Sequence, residues 1–495
     1  MLNGEGGEAA WQDCYGGKAY AYLTKLPHLD IIISMTENSR QPDPRLSSEL
    51  RKEANTVKGR SVYKLLRTMD KTQWWSPQKL EREQFRFLER LLNHARKTTK
   101  YYDGALANMG VMSAESLRQG AWAEVPILPR TTVNEFGDDM LSNNIPDRHG
   151  DSFSIYTSGT TGQPIKLIRT RLALLYWSAF TARDHLWHHR DLLGKFAAIR
   201  TSTKGKAMYP DGSRHPAWGA KDNVFKTGPS FGLNINSTTE QMVDWLQRKE
   251  PDYLLTHPTV VASLTRYCRD RGIRFNNLKE VITLSEILPH DLRTTVREVW
   301  GATLADMYSG REVGYLALQC PENPHYHVMG EGVYLEVLDD QNKAVGPGQT
   351  GRVVVTTLHN FAMPLIRYEI GDFAEVGGPC SCGRGLPVLT RIHGRKQNVL
   401  TLPTGESRWT LLSSGDIGAF MALAPIRQYQ FAQIEKDAIE VRLAVLRALT
   451  TDEEIAIAEW TQSKFAYPFK ITFSYAAELP RSKAGKFQDF ISEMA

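Results

Sequence analysis

Cysteine is scarce in this sequence: five residues in 495, an odd number and far below the density that staples small secreted domains. A disulfide framework is thereby excluded, and a reducing cytoplasm is the expected compartment. Long apolar runs are missing too. The most apolar stretch, LALLYWSAF from Leu172, falls well short of the roughly 20 residues a membrane span needs. Near the start, no block of about 7–15 apolar residues follows a basic segment, as a secretion signal would require. No membrane partner is expected. Internal repeats and low-complexity tracts are also absent, and nothing calls for a collagen repeat or a coiled coil.

Charge of one sign is not spread along the chain either. The net charge is +5, but Arg45 to Lys100 alone holds fifteen Lys/Arg and six Asp/Glu, a local +9 that leaves −4 for the rest. A groove-sized basic surface for nucleic acid is not expected. Within that stretch, LEREQFRFLERLLNHARK places Phe85, Leu88, Leu92 and Ala95 at helical spacing, with Arg82, Arg86, Arg90 and Arg96 between them. This is the pattern of an amphipathic helix with one solvated face.

What is present is an ordinary globular mixture, 41% hydrophobic and 23% charged, in a chain long enough for two to four domains. Residues 1–58 read as a weakly ordered lead-in. From about 60 to 135 the pattern is helical, punctuated at Pro126 and Pro129. Short β-type runs then alternate with helical ones: SFSIYT, RLALLYWSAFTARDHLW, KFAAIRT, DYLLTH, HPTVVASLTRYCRD, KEVITLS, HDLRTTVREVW and TLADMYS. That alternation predicts an α/β fold with a parallel sheet. After Cys320, GVYLEVLD, GRVVVTTL and FAEV predict a β subdomain over about 320–394. Residues 395–495 form a small α+β domain. There Tyr429 and Phe431, then Ile439 to Val445, then Ile471, Phe473 and Tyr475 alternate with period two, and a helix opens on a capping box from Thr451 to Glu454.

The most informative stretch is YTSGTTGQPIK, Tyr156 to Lys166. Thr157, Ser158, Gly159, Thr160, Thr161 and Gly162 put four hydroxyls and two glycines ahead of Lys166, behind a strand and before a helix. Glycines let the backbone approach an anion, hydroxyls and amides donate to phosphate oxygens, and the lysine adds a point charge. The pattern is not a Walker loop, because Gly-Lys-Ser/Thr is absent. A second constellation is metal-like. Cys320 and His327, with Cys380 and Cys382 of GPCSCGRG, offer three thiolates and an imidazole, a set that suits tetrahedral Zn2+ in a structural role, with His325 as the alternative ligand. Cys14 and Cys268 have no place in this scheme.

YTSGTTGQPIK resembles the phosphate-loop signature of the adenylate-forming superfamily of acyl-CoA ligases, luciferases and peptide-synthetase adenylation domains. Further signatures follow in the family's order, covering about residues 60–495. The resemblance implies that Ser285 and Glu286 of LSEILP line an adenine pocket. In MYSGREVG it implies that Tyr308 stacks on adenine and Glu312 holds Mg2+. Arg311 stands where the family has a threonine, and its guanidinium is the stronger phosphate donor. In RYEIGD, Asp372 would accept the ribose hydroxyls, as an acceptor-only carboxylate can. HGRKQN supplies Arg395 as a nucleotide contact at the hinge, with Gln397 and Asn398 where two aspartates are common.

LPRSKAGKF supplies Lys486, the lysine that in this family reaches the carboxylate and the α-phosphate during adenylation. Candidate lining for the acid comes from Phe231 and Gly232 of FGLN and from His257 and Pro258 of THPT. The cysteine pattern resembles the phenylacetate-CoA ligase branch with its CapK-like members, some of which carry such a zinc site.

The implied activity is activation of a small carboxylic acid by ATP to an acyl-adenylate (acyl-AMP). Transfer to a thiol follows, either CoA or the phosphopantetheine of an acyl or peptidyl carrier protein. Transfer to an amine is the alternative chemistry, and a catalytically silent nucleotide-binding homologue or scaffold the alternative class. A homodimer is among the assemblies open to the chain.

Overall fold

The computed structural model describes residues 57–156, 165–203, 205–219, 225–395, 399–410, 412–481 and 487–494. The lead-in expected over 1–58 therefore lies almost wholly outside the described residues, which begin with the helix Val57–Thr72. The predicted amphipathic helix is Pro77–Thr98, entered through an N-cap at Ser76 whose side chain accepts the Lys79 N–H. It buries Leu80, Phe85, Leu88, Leu91, Leu92 and Ala95 and turns Arg82 and Arg86 to solvent.

Among the described residues twenty strands follow in chain order. The first ten are β1 (Ser152–Tyr156), β2 (Lys166–Thr170), β3 (Phe196–Arg200), β4 (Ser213–His215), β5 (Ser230–Asn234), β6 (Tyr253–Thr256), β7 (Glu280–Leu284), β8 (Thr303–Gly310), β9 (Gly314–Gln319) and β10 (Tyr326–Val328). The second ten are β11 (Val333–Leu338), β12 (Thr350–Thr357), β13 (Tyr368–Val376), β14 (Val388–Arg395), β15 (Val399–Thr401), β16 (Ser407–Trp409), β17 (Ile426–Glu435), β18 (Ala438–Val445), β19 (Lys470–Tyr475) and β20 (Phe490–Ser492).

Twelve of them share one sheet in the order β11-β12-β13-β14-β10-β9-β8-β7-β6-β3-β5-β4. The run β8-β7-β6-β3-β5 is parallel, as the strand and helix alternation predicts. The strands after Cys320 are antiparallel and extend this same sheet. Successive residues of the central strands face opposite layers. Phe196, Tyr253 and Ile282 pack with the helices Val57–Thr72 and Arg171–Trp187, while Ala197, Leu254 and Val281 pack with the helices Thr239–Lys249, Pro258–Arg271 and Leu292–Trp300. Burial on both faces is why these strands read as nearly continuous apolar runs. Among the described residues no helix is long and apolar enough to cross a membrane.

Three local readings need correction. SFSIYT does not lead straight to a helix: β1 and β2 form an antiparallel hairpin with Tyr156 opposite Lys166, and the helix starts only at Arg171. The capping box lies one residue earlier than expected, at Thr450 and Glu453. Both Thr-x-x-Glu pairs fit the motif, but the extended backbone is at Thr450, and Glu454 instead accepts the Tyr475 hydroxyl. Tyr475, expected to continue the inward row, is accordingly 47% exposed.

The C-terminal strands β19-β18-β17-β20 form their own sheet around Phe420, Phe431, Val441 and Ile457.

Candidate functional site

The loops at the carboxyl ends of the parallel strands are where an open α/β sheet collects ligands. Here β6 ends at Thr256 before His257 and Pro258, β7 at Leu284 before Ser285 and Glu286, and β8 at Gly310 before Arg311 and Glu312. Ser285 has φ +72°, a conformation costly for a residue with a side chain and one that concentrates at functional loops.

Two groups of expected residues come together. The Tyr308 hydroxyl donates to Asp372 Oδ2 at 2.7 Å, and Arg395 Nε lies 3.8 Å from Asp372 Oδ1. Asp372 and Arg395 are direct partners in the β13-β14 register. Burial, with the Asp372 charge beside it, pushes the Tyr308 phenol well above its ordinary value, so it remains a donor. Nearby, Arg311 Nη1 donates to the Tyr156 carbonyl at 3.2 Å, at the point where the hydroxyl-rich segment leaves β1. Glu312 is buried and paired with Arg130 Nη1 at 2.7 Å, and Arg130 also donates to the Tyr368 hydroxyl at 3.2 Å.

Glu286 serves as a brace. Its carboxylate accepts the Thr259 N–H at 3.1 Å and the Phe487 N–H at 2.8 Å, with Arg481 Nη1 3.8 Å away. The C-terminal unit is thus tied to the ends of β6 and β7. Beside this brace, burial and then the Glu286 charge raise the Asp489 carboxyl to about 7.

Other expected residues are placed apart. His257 is buried with Nδ1 3.2 Å from the Leu284 carbonyl, and burial lowers its pKa; Pro258 is the buried first residue of its helix. Phe231 and Gly232 lie within β5, paired with Arg214 and Ser213 of β4. None of these four lines the pocket that Glu312 borders. Lys166 begins β2 and is exposed. Thr157 to Gly162, Gln397, Asn398 and Lys486 lie outside the described residues.

Sequence reasoning missed Arg130, Arg169 and Arg481. Two of them had a signal: in KLIRT Arg169 shares inward parity with Leu167, and Arg481 is the arginine of LPRSKAGKF. Burial pulls the Arg169 guanidinium down to about 10, against the Glu312 charge.

Cys320, His327, Cys380 and Cys382 are all buried, with one donor atom from each within 4.8 Å of the others, a grouping that could hold a metal ion. Cys320 Sγ lies 3.8 Å from Cys380 Sγ, and Cys382 Sγ lies 3.3 Å from His327 Nε2. His325 is only half-buried, with Nε2 2.9 Å from Cys380 Sγ. Burial pushes His327 down to about 3, which keeps the ring neutral with a lone pair free. Burial raises the Cys380 thiol to about 12. For Cys382 burial acts the same way, but hydrogen bonds from Arg384 outweigh it and lower the thiol.

No protein-family model matches the chain. The 2-hydroxyisobutyryl-CoA ligase structure in its postadenylation state superposes with a TM-score of 0.63 at 17% identity, covering 85% of this chain and 91% of that one. The same ligase in its thioesterification state, with 2-HIB-AMP and CoA, gives a TM-score of 0.52 at 18% identity over 83% and 89%. The fold is that of the adenylate-forming ligases. In sequence the chain is similar to the phenylacetate-CoA ligase branch. It is 24% identical to phenylacetate-coenzyme A ligase of Pseudomonas putida and 26% identical to that of Aromatoleum evansii, each over 252 residues, 50% of this chain. The chain spans about half the length, 55%, of these curated relatives.

Proposed function

We propose that this protein activates a small carboxylic acid with ATP. The acid's carboxylate attacks the α-phosphate, the bond to the β-phosphate oxygen breaks, and acyl-adenylate and pyrophosphate form. A thiol, CoA or a carrier-protein phosphopantetheine, then takes the acyl group and releases AMP. The observation that carries this reading is the convergence of Tyr308, Asp372 and Arg395 beside Arg311 and Glu312 at the strand ends. Asp372 would accept the ribose hydroxyls, and Tyr308 would lie along the adenine while fixing Asp372 through its hydroxyl. Arg311 and the Thr157 to Gly162 segment would donate to phosphate oxygens. Glu312, held in place by Arg130, offers the hard oxygen donor that Mg2+ takes. When bound, the ion would offset phosphate charge.

The decisive experiment is exchange of labelled pyrophosphate into ATP. Exchange is expected to depend on an added acid, and CoA, a pantetheinylated carrier and amines are then compared as acceptors. A protein with no exchange across a broad acid panel would overturn the reading. Removing one hydroxyl should tell on the nucleotide: Tyr308→Phe takes away the donor that fixes Asp372 Oδ2. Its half-saturation for ATP should rise about tenfold, the worth of one charge-assisted hydrogen bond. An unchanged ATP dependence would remove Tyr308 from this role.

The Cys/His cluster fits structural zinc. For ligands at about 2.3 Å in a tetrahedron, the sulfur to sulfur edge is about 3.8 Å, the separation of Cys320 and Cys380.

A further inference from the structure

Asp291 turns its charge away from its own helix. It stands at the N-cap position of the helix Leu292–Trp300, but its backbone is helical (φ −93°, ψ −8°) rather than extended, and its side chain makes no cap bond there. A capping aspartate takes the extended conformation to reach the N–H groups of its own first turn. Asp291 Oδ2 instead accepts the Gly415 N–H at 2.9 Å, in the helix Ser414–Ala422 of the C-terminal unit.

That N–H is one the receiving helix leaves over. Its own capping box closes on Ser413 and Asp416: the Ser413 hydroxyl accepts the Asp416 N–H at 2.9 Å, and Asp416 Oδ2 accepts the Ser413 N–H at 2.9 Å. The Lys464 ammonium, 2.5 Å from Asp416 Oδ2, ties the box to the helix Thr451–Phe465. Gly415, in the first turn, keeps an N–H that no intrahelical carbonyl can take. A carboxylate placed there satisfies it and meets the positive end of the helix dipole.

The second anchor has the same chemistry. Glu286, at the other end of the loop between β7 and the helix Leu292–Trp300, accepts the Phe487 N–H, and the Arg481 contacts gather at that same point. A single point of attachment would let the C-terminal unit pivot about it, whereas two separated points fix its angle. Phe487 follows Lys486 in sequence. The angle therefore decides how the lysine's segment is presented to the strand ends.

We propose that Asp291 is a positioning residue: it caps the helix Ser414–Ala422 from the large domain and so seats the C-terminal unit in the orientation that acid activation requires. This rests on the reading of the protein as an acid-activating ligase, because adenylation is the step that Lys486 serves in it.

Two variants break the bond from opposite sides: Asp291→Ala removes the acceptor, and Gly415→Pro removes the donor at a first-turn position where proline is tolerated. Each is expected to lower the maximal rate of acid-dependent pyrophosphate exchange about tenfold, the worth of one charge-assisted hydrogen bond. ATP and acid half-saturations should stay within about twofold of wild type. The double variant should be no slower than either single one, since both remove the same contact. Asp291→Asn, whose amide oxygen still accepts, should recover most of the rate. Amide hydrogen–deuterium exchange on the full-length, nucleotide-free protein reads the seating without turnover. In Asp291→Ala the segments 413–422 and 487–494 should deuterate about tenfold faster, while the helix Leu292–Trp300 stays as protected as in wild type. The proposal falls if Asp291→Ala keeps wild-type turnover, if the losses of the two single variants add, or if protection is lost in the helix Leu292–Trp300 instead. Asp291-dependent protection in a protein that turns over no acid would support the seat and overturn the ligase reading.

Discussion

Lys486→Ala is expected to lower acid-dependent pyrophosphate exchange by about 10²–10³-fold, the usual cost of removing one positioned charge donor from a transition state. The reason is electrostatic. A carboxylate approaching an α-phosphate brings two anions together, and negative charge grows on the phosphorus oxygens as the new bond forms. An ammonium fixed at that point stabilises the transition state more than the ground state. Lys486 itself is outside the described residues, but both flanks of its segment are anchored. Arg481 lies 3.8 Å from Glu286 and 3.4 Å from the Thr259 hydroxyl, and the Phe487 N–H donates to Glu286 at 2.8 Å. The contact next in sequence to the lysine, at Phe487, is thus with Glu286 at the end of β7. Lys483→Ala in the same segment is the control and should change exchange by less than about twofold. Exchange in Lys486→Ala equal to wild type would remove the lysine from the chemistry.

How much of this was legible in sequence follows from what each feature depends on. The central strands and their flanking helices were legible because burial on both faces writes itself into short apolar runs at regular spacing. The β1-β2 hairpin was not: its two strands carry weak alternation, and the helical pattern from Arg171 begins right behind β2. Strand β20 was missed because three residues, Phe490 to Ser492, give no period, and only pairing with β17 defines them.

The same division holds at the site. Tyr308, Glu312, Asp372 and Arg395 stand in contiguous motifs. Arg130 reaches Glu312 across 182 residues, so no local pattern announces it; Arg481 stands in LPRSKAGKF, but its contact with Thr259 spans 222 residues. For Arg169 the signal was its inward parity, a charge where an apolar residue is usual.

Cys380→Ser with Cys382→Ser should remove about one zinc per chain by elemental analysis and also lower stability sharply. Structural zinc in small fingers is worth about 10–16 kcal/mol; a third of that here, about 3–5 kcal/mol, would lower the melting midpoint of a unit this large by about 4–7 °C. The effect should spread beyond the ligands, because the turn carrying them is a docking point. Arg384, two residues on from Cys382, lies over the Trp74 and Trp187 rings at 4.8 and 4.6 Å, and the Gly385 N–H donates to the Gln73 carbonyl at 2.9 Å. Gly385 has no room for a side chain, since a Cβ would fall 1.7 Å from the Trp75 carbonyl oxygen. A metal joining Cys380 and Cys382 to Cys320 and His327 would therefore hold strands β9 and β10, in the middle of the large sheet, against the helices Val57–Thr72 and Arg171–Trp187. Cys268→Ser, in the apolar layer on the other face, is the control and should keep the metal. Because Tyr308, Asp372 and Glu312 lie outside the cluster, ATP half-saturation in the double variant should stay near wild type below its melting range. A double variant as stable as wild type, or a wild-type protein purified without zinc, would overturn the structural-metal assignment.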